Sequence, residues 1–189
     1  MMSEFINILW RIAKIDKRFF GNNRNFGDAS IYFAILIILI SSLISLIPNK
    51  AFIEYMSFNF GLGNVKGPSL RFVLFFSYLF WIIKTTYLYF IGVIIFPNRN
   101  TKCNFRKVLV LVGYAQVPLF FNLLVIDSSL LILLFFTYIW YNVSLIVGLN
   151  IILSYNNFFK SSIIVLAPLI IFFIYLLSLL TPLQLNTIS

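Results

Sequence analysis

Five long apolar runs, separated by short polar segments, make up most of the chain. A transmembrane α-helix needs about 20 mainly apolar residues to cross a bilayer core. The pattern therefore predicts an all-α, polytopic membrane protein, with five transmembrane helices (spans 1 to 5) in one membrane domain. The predicted domain covers residues 29–180 and a short tail covers residues 181–189. The apolar runs cover residues 29–47, 72–96, 108–126, 128–153 and 161–180.

The segment before span 1 has a different pattern. From residue 3 to residue 20, apolar side chains recur at helical spacing on one side, and four basic side chains fall largely on the other. Trp10 and Phe19 belong to the apolar side. A helix of this kind is typical of the headgroup region of a membrane. We therefore predict that residues 1–28 form a cytoplasmic amphipathic interfacial helix and a linker. Docking of this helix on the bundle is the alternative.

Span 3 contains residues that are unusual in a lipid-facing helix, among them Gly113, Gln116, Pro118 and Asn122. Such residues suit a helix that is surrounded by other helices. Pro118 has no N–H, so the carbonyl of Tyr114 loses its usual helical partner. In hydrocarbon that carbonyl needs another donor, or the helix must change its winding. We expect span 3 to form the centre of the bundle.

Lys84 lies in the middle of span 2, with twelve residues of the apolar run on either side. Those residues correspond to ~18 Å of helix, so the ammonium group cannot reach water freely and should face the bundle. Gln116 and Asn142 lie near the middle of spans 3 and 4. We predict a polar midplane cluster of Lys84, Gln116 and Asn142. Lys84 is either a binding or coupling charge, or a structural ammonium held by carbonyls, hydroxyls and aromatic faces.

The composition agrees with a membrane protein. The chain is 61% hydrophobic and 10% charged, whereas soluble domains have roughly 25% charged residues. The net charge of +9 does not indicate nucleic-acid binding, because the basic residues lie mostly at the ends of apolar runs. Ten of them would lie on the side of the N-terminus and three on the other side. The positive-inside rule then predicts a cytoplasmic N-terminus and an external C-terminus.

The residues that most catalytic and metal sites require are scarce. The chain has no His, one Cys (Cys103) and five carboxylates, none of them within a predicted span. A Ser–His–Asp triad needs His, and zinc or di-iron sites need His, Cys or clustered carboxylates. The sequence therefore predicts no catalytic residue, no metal site and no cofactor, and we expect a protein that is not an enzyme.

The pair Gly113-Tyr114, followed by Pro118 and preceded by basic residues, resembles the YIP family of Ypt/Rab-interacting membrane proteins. The five spans and the short turn between spans 3 and 4 agree with that layout. In eukaryotes the resemblance implies association with small GTPases and vesicle trafficking. Such members carry a long cytosolic N-terminal region with an acidic-apolar motif, which the 28 residues before span 1 do not contain. Small-GTPase binding is therefore not carried over, and the short N-terminal region is similar to that of prokaryotic members.

These observations favour a non-enzymatic integral membrane protein that acts through lipid or partner contacts, in membrane organisation or trafficking. Its partners would be the lipid bilayer and either another protein or a second copy of the chain. The alternative is a small transporter or channel that uses Lys84, Gln116 and Asn142, because transport sites tend to lie near the bilayer midplane. We expect the plasma membrane for a prokaryotic protein, and the endoplasmic reticulum or Golgi for a eukaryotic one.

Overall fold

The computed structural model describes residues 2–22, 26, 28–60, 67–98, 103–126, 128–155 and 157–185, so part of the predicted linker and residues 186–189 of the predicted tail lie outside it. A π-helical segment, Phe90–Ile95, continues α5, and 3-10 helices cover Val117–Leu124 and Ser128–Leu130. The described residues contain no strand. The α-helices are α1 (Met2–Ala13), α2 (Lys17–Gly21), α3 (Asp28–Ile44), α4 (Leu46–Phe60), α5 (Leu70–Tyr89), α6 (Phe105–Tyr114), α7 (Ile132–Ile152) and α8 (Phe158–Leu185).

Five helical stretches in the described residues are long and apolar enough to cross a membrane. This confirms the predicted all-α fold with five spans. The bounds of spans 1 to 5 in the structure are Ser30–Ile53, Leu70–Ile95, Phe105–Leu124, Ile132–Ile152 and Phe158–Tyr175.

The structure ends span 1 later than Pro48, where we expected it to stop. Helix α3 ends at Ile44, Ser45 forms a turn, and α4 begins at Leu46. Pro48 therefore lies in the first turn of α4, where backbone N–H groups have no helical acceptor and a missing one is tolerated. The structure also starts span 4 later, because a 3-10 turn precedes α7, and it extends α8 into the predicted tail as far as Leu185.

Span 3 lies at the centre of the bundle and contacts spans 1, 2 and 4. Its residues 110–115 are all buried. After Tyr114 the helix tightens, since the N–H of Gln116 donates to the Gly113 carbonyl at 3.1 Å, and the N–H of Leu119 donates to Gln116 at 2.9 Å. This three-residue spacing is that of a 3-10 helix, and it begins where Pro118 removes a donor from the α-helical pattern.

Residues 3–20 form two helices, although their periodicity predicted one. Helix α1 ends at Ala13, and Ile15 has φ of 53°, a left-handed conformation that is unfavourable for a β-branched residue. Asp16 then caps α2, because its side chain accepts from the N–H of Arg18 at 2.9 Å. The same carboxylate forms a salt bridge with Arg11 at 2.8 Å, and the hydrogen bond from Arg11 lowers the pKa of Asp16.

Both N-terminal helices pack against the bundle. Ile12, Phe19 and Phe20 are buried, and the ring of Phe19 lies 5.7 Å from that of Tyr114. Helix α2 contacts span 4, and α1 contacts the 3-10 part of span 3. This packing favours the docked-helix alternative. Trp10 keeps 60% of its surface exposed, so contact between α1 and headgroups stays a prediction.

Candidate functional site

A cavity of about 1030 Å³ lies between the spans, and residues of all five contribute to its walls. Lys84 of span 2, Gln116 of span 3 and Asn142 of span 4 line it. The structure thus places the three predicted cluster residues around one space. In the part of the chain that the structure describes, no hydrogen bond joins any two of them directly. Any chemistry that they share would therefore be directed at an occupant of the cavity.

Lys84 is the only charged side chain among the described residues of the cavity wall. Its Nζ atom lies 4.3 Å from the centroid of the Tyr141 ring, a cation–π contact. A ring face attracts the charge but offers no hydrogen-bond acceptor for the three N–H groups. Among the described residues, Nζ forms no hydrogen bond and no salt bridge. The ammonium group therefore keeps its capacity to bind an oxygen-rich ligand.

The amides of Gln116 and Asn142 are held in place by neighbouring groups. The hydroxyl of Ser41 donates to Oε1 of Gln116 at 2.6 Å, which joins span 1 to span 3. The Nδ2 atom of Asn142 donates to the carbonyl of Tyr138 in the same helix at 2.8 Å. Each amide has a second polar atom, the NH₂ of Gln116 and the carbonyl oxygen of Asn142. These atoms can bind a ligand without disturbing the bonds that fix the side chains.

Span 1 adds a polar strip to the cavity wall, which we did not predict. Its members Ser41, Ser45 and Asn49 recur every four residues, so they share one face of span 1. Ser42 and Ser45 donate to carbonyls of their own helix at 2.6 and 2.7 Å. Their hydroxyl oxygens are also acceptors. The rest of the wall is largely apolar or aromatic, and includes Phe72, Phe76, Phe80, Leu119, Val165 and Leu169.

Tyr87 connects the two sides of the cavity that spans 2 and 5 form. Pro168 has no N–H, so the carbonyl of Ile164, four residues earlier, loses its helical partner. The hydroxyl of Tyr87 donates to this carbonyl at 3.0 Å. Tyr87 comes three residues after Lys84 and so shares its helix face, but the sequence gave no indication of this partner. The bond satisfies a polar group that would otherwise be unpaired within the membrane.

The cavity is open to the side between spans 2 and 5. Phe80, Ile83 and Ile171 line it, and they are 65%, 53% and 66% exposed. Span 5 packs on span 4 and on the π-helical segment of span 2, while it makes little contact with α5. In a membrane this apolar edge would meet lipid chains. A ligand could therefore reach Lys84 from the lipid phase.

The three residues of the family motif lie in the centre of the bundle and outside the cavity wall. A Cβ atom at Gly113 would lie 2.7 Å from the Cβ of Ala34, so this glycine permits spans 1 and 3 to approach closely. Tyr114 is buried against the rings of Phe19 and Phe26. Pro118 is buried where the 3-10 helix of span 3 begins. Their observed contacts are those of a packing motif.

Tyr155, in the turn after span 4, makes a contact that the sequence analysis missed. Its hydroxyl lies 2.6 Å from the carbonyl oxygen of Gly92 and 2.9 Å from that of Phe96. Burial raises the pKa of Tyr155 to about 12. Leu153 fills the space in which a Cβ of Gly92 would lie, at 2.7 Å. Because the partners are about 60 residues apart in sequence, no local pattern indicated this contact.

The described residues contain no group of three or more His, Cys, Asp or Glu side chains that could hold a metal ion. Cys103 lies just before α6, and burial raises the pKa of its thiol to about 11. Thiolate is the nucleophilic form of cysteine, so this environment opposes reactivity at neutral pH. Within the described residues, the geometry offers a binding cavity and no hydrogen-bonded pair of a nucleophile and a base.

A family model described as "Yip1 domain" matches residues 12–180. The match extends from the end of α1 to beyond span 5, and it includes every residue of the cavity wall named above. No curated protein and no solved structure is detectably similar to the chain.

Proposed function

The chain belongs to the Yip1 domain family, and from this premise we propose that it is a non-enzymatic membrane protein that binds a membrane lipid within its bundle. The proposal places its role in membrane organisation or trafficking, through lipid contacts and contacts with a protein partner or a second copy. The N-terminus is proposed to face the cytoplasm. Small-GTPase binding is not part of the proposal.

The observation that carries the proposal is the size and lining of the cavity between the five spans. Its volume of about 1030 Å³ is just above the roughly 300–1,000 Å³ that is common for small-molecule sites. Phenylalanine, leucine and valine side chains on its walls favour an apolar occupant over water. Its edge between spans 2 and 5 carries exposed apolar residues such as Phe80. These features suit a molecule that already resides in the bilayer.

Solute transport is the second candidate function. It is favoured by the observation that Lys84, Gln116 and Asn142 line one cavity near the middle of their spans. Substrate sites of many transporters lie at this depth. The predominantly apolar lining and the sideways opening favour lipid binding over transport.

An experiment that fills the cavity tests both candidates. The protein would be purified in nanodiscs of one defined lipid after gentle extraction, and retained native lipid would be counted by native mass spectrometry. Ser77→Phe adds bulk to the cavity wall, whereas Leu79→Phe, in the same helix and outside the wall, is the matched control. We expect the wild type and the control to retain native lipid, and Ser77→Phe to lose most of it.

Equal lipid retention by the two variants would contradict lipid binding in the cavity. Flux of ions or small solutes in liposomes, present in the wild type and the control and absent in Ser77→Phe, would instead establish the transport function. Circular dichroism and size-exclusion chromatography would first show that both variants fold.

A further inference from the structure

The cavity also points to the kind of lipid that it holds, an inference that rests on the proposed function. We propose that it binds one anionic phospholipid, with the phosphate at Lys84 and the acyl chains leaving the bundle between spans 2 and 5. Nothing in the family match assigns such a site, and the inference follows from the charge, the polar strip and the sideways opening of this cavity.

The cavity wall carries an unbalanced charge. Lys84 carries the only charge among its described residues, and its contact with the Tyr141 ring leaves the N–H groups without an acceptor. A buried charge is costly unless it is paired and hydrogen-bonded. A phosphate supplies both a negative charge and several acceptor oxygens. The wall contains no described carboxylate that could pair with the ammonium of a zwitterionic headgroup, so a net anionic lipid fits better.

Further polar groups extend along the cavity wall from Lys84. The Ser41 hydroxyl occupies Oε1 of Gln116, so the NH₂ group of Gln116 is the part of that amide that can donate to a ligand. Ser45 and Asn49 continue the polar strip toward the end of span 1, and the cavity wall there includes Pro68, just before span 2. The polar strip therefore extends from the depth of Lys84 toward the membrane surface at which spans 1 and 2 are connected.

A small free anion fits the cavity less well than a phospholipid. An inorganic ion would satisfy Lys84 but would leave the aromatic wall of span 2 and the exposed edge at Phe80 and Ile171 without a partner. Acyl chains fill both. With the predicted cytoplasmic N-terminus, the polar strip leads to the external surface, so the lipid would come from the external leaflet.

The test is competitive lipid binding to the full chain, measured by native mass spectrometry with dioleoylphosphatidylglycerol, dioleoylphosphatidylcholine and oleate. We expect the wild type to prefer phosphatidylglycerol over phosphatidylcholine by about tenfold or more, as for a hydrogen bond between charged groups. Lys84→Met should reduce this preference to about twofold or less, while Lys84→Arg, which keeps the charge, should retain most of it. Lys50→Met is the matched control, because Lys50 is exposed, near the same membrane surface and outside the cavity wall.

A photoreactive group in the acyl chain of phosphatidylglycerol tests the route of the chains. Labelling should occur at Phe80, Ile83 or Ile171 and should be suppressed by unlabelled phosphatidylglycerol. Labelling confined to lipid-exposed residues outside the cavity, such as Phe135, would overturn this part of the proposal.

The results separate this inference from the proposed function. Binding of lipid with no headgroup preference would overturn the anionic site and leave lipid binding intact. Absence of bound lipid from every variant would overturn both. Preference for oleate over phosphatidylglycerol would overturn the phospholipid assignment and identify a fatty-acid site. Equal losses in Lys84→Met and Lys50→Met would show that the preference arises from surface charge, which also overturns the proposal. If Lys84→Met fails to fold, loss of the preference in Lys50→Met would still overturn the proposal, because Lys50 lies outside the cavity wall.

Discussion

Substitution of Gly113, a residue of the family motif, is predicted to destabilise the protein. A Cβ atom at this position would lie 2.7 Å from the Cβ of Ala34 and 3.2 Å from its Cα. Carbon atoms in contact are normally about 3.5–4.0 Å apart, so Gly113→Ala requires spans 1 and 3 to separate by about 1 Å. The clash involves backbone and a side chain without rotamers, so rotation of a flexible group cannot relieve it. We expect Gly113→Ala to destabilise the bundle.

The magnitude follows from three contributions. Overpacking costs about 1–3 kcal/mol. A shift of about 1 Å would also break the 2.6 Å hydrogen bond between Ser41 and Gln116, which costs about 0.5–1.5 kcal/mol. Alanine is a better helix former than glycine, which offsets up to about 1 kcal/mol. We therefore expect a net loss of about 1–3 kcal/mol in the free energy of unfolding.

The assay is unfolding in mixed micelles, with increasing sodium dodecyl sulfate and helicity followed by circular dichroism. Gly21→Ala is the control, since a Cβ there would meet its nearest neighbour, Ile151, at an ordinary 3.8 Å. Ala34→Gly in the Gly113→Ala background should recover part of the loss, because it removes the closer of the two clashing atoms. A Gly113→Ala protein as stable as the wild type, or no recovery in the double variant, would refute the reasoning.

Three further predictions concern Tyr87, Tyr155 and Cys103. Tyr87→Phe should lower stability by about 1 kcal/mol in the same assay, because the Ile164 carbonyl loses its donor. The loss should be smaller in a Pro168→Ala background, because alanine restores a helical N–H, and an equal loss in both backgrounds would contradict this. Tyr155→Phe should also destabilise the protein below pH 10. Because burial raises the pKa of Tyr155 to about 12, the difference in stability between the variant and the wild type should shrink as the pH rises from 10 to 12. A stability difference that is independent of pH would contradict this. Iodoacetamide should alkylate Cys103 slowly at pH 8, and the rate should rise about tenfold per pH unit toward the pKa of about 11. Mass spectrometry measures this rate, and rapid labelling at pH 8 would contradict the burial of the thiol.

The sequence alone determined the fold class and the number of spans. A bilayer has a fixed thickness and contains no water to satisfy the backbone, so each span must appear as a helix-length apolar run. The same constraint made Lys84, Gln116 and Asn142 stand out, because polar residues at mid-span are costly and belong inside a bundle. The sequence also carried the motif of Gly113, Tyr114 and Pro118, and the family match confirms that resemblance.

The tertiary structure decided what surrounds these residues. Local signals failed at two helix boundaries. Pro48 does not end span 1, because it lies in the first turn of α4. Ile15 interrupts the periodic segment of residues 3–20, and the following helix α2 packs separately on span 4. The Tyr141 ring at Lys84 and the Tyr87 hydroxyl at Ile164 join separate spans, so no local pattern could predict them. Periodicity shows which face of a helix is polar, but the cavity and its opening depend on which helix packs against that face, and only the packed bundle determines this.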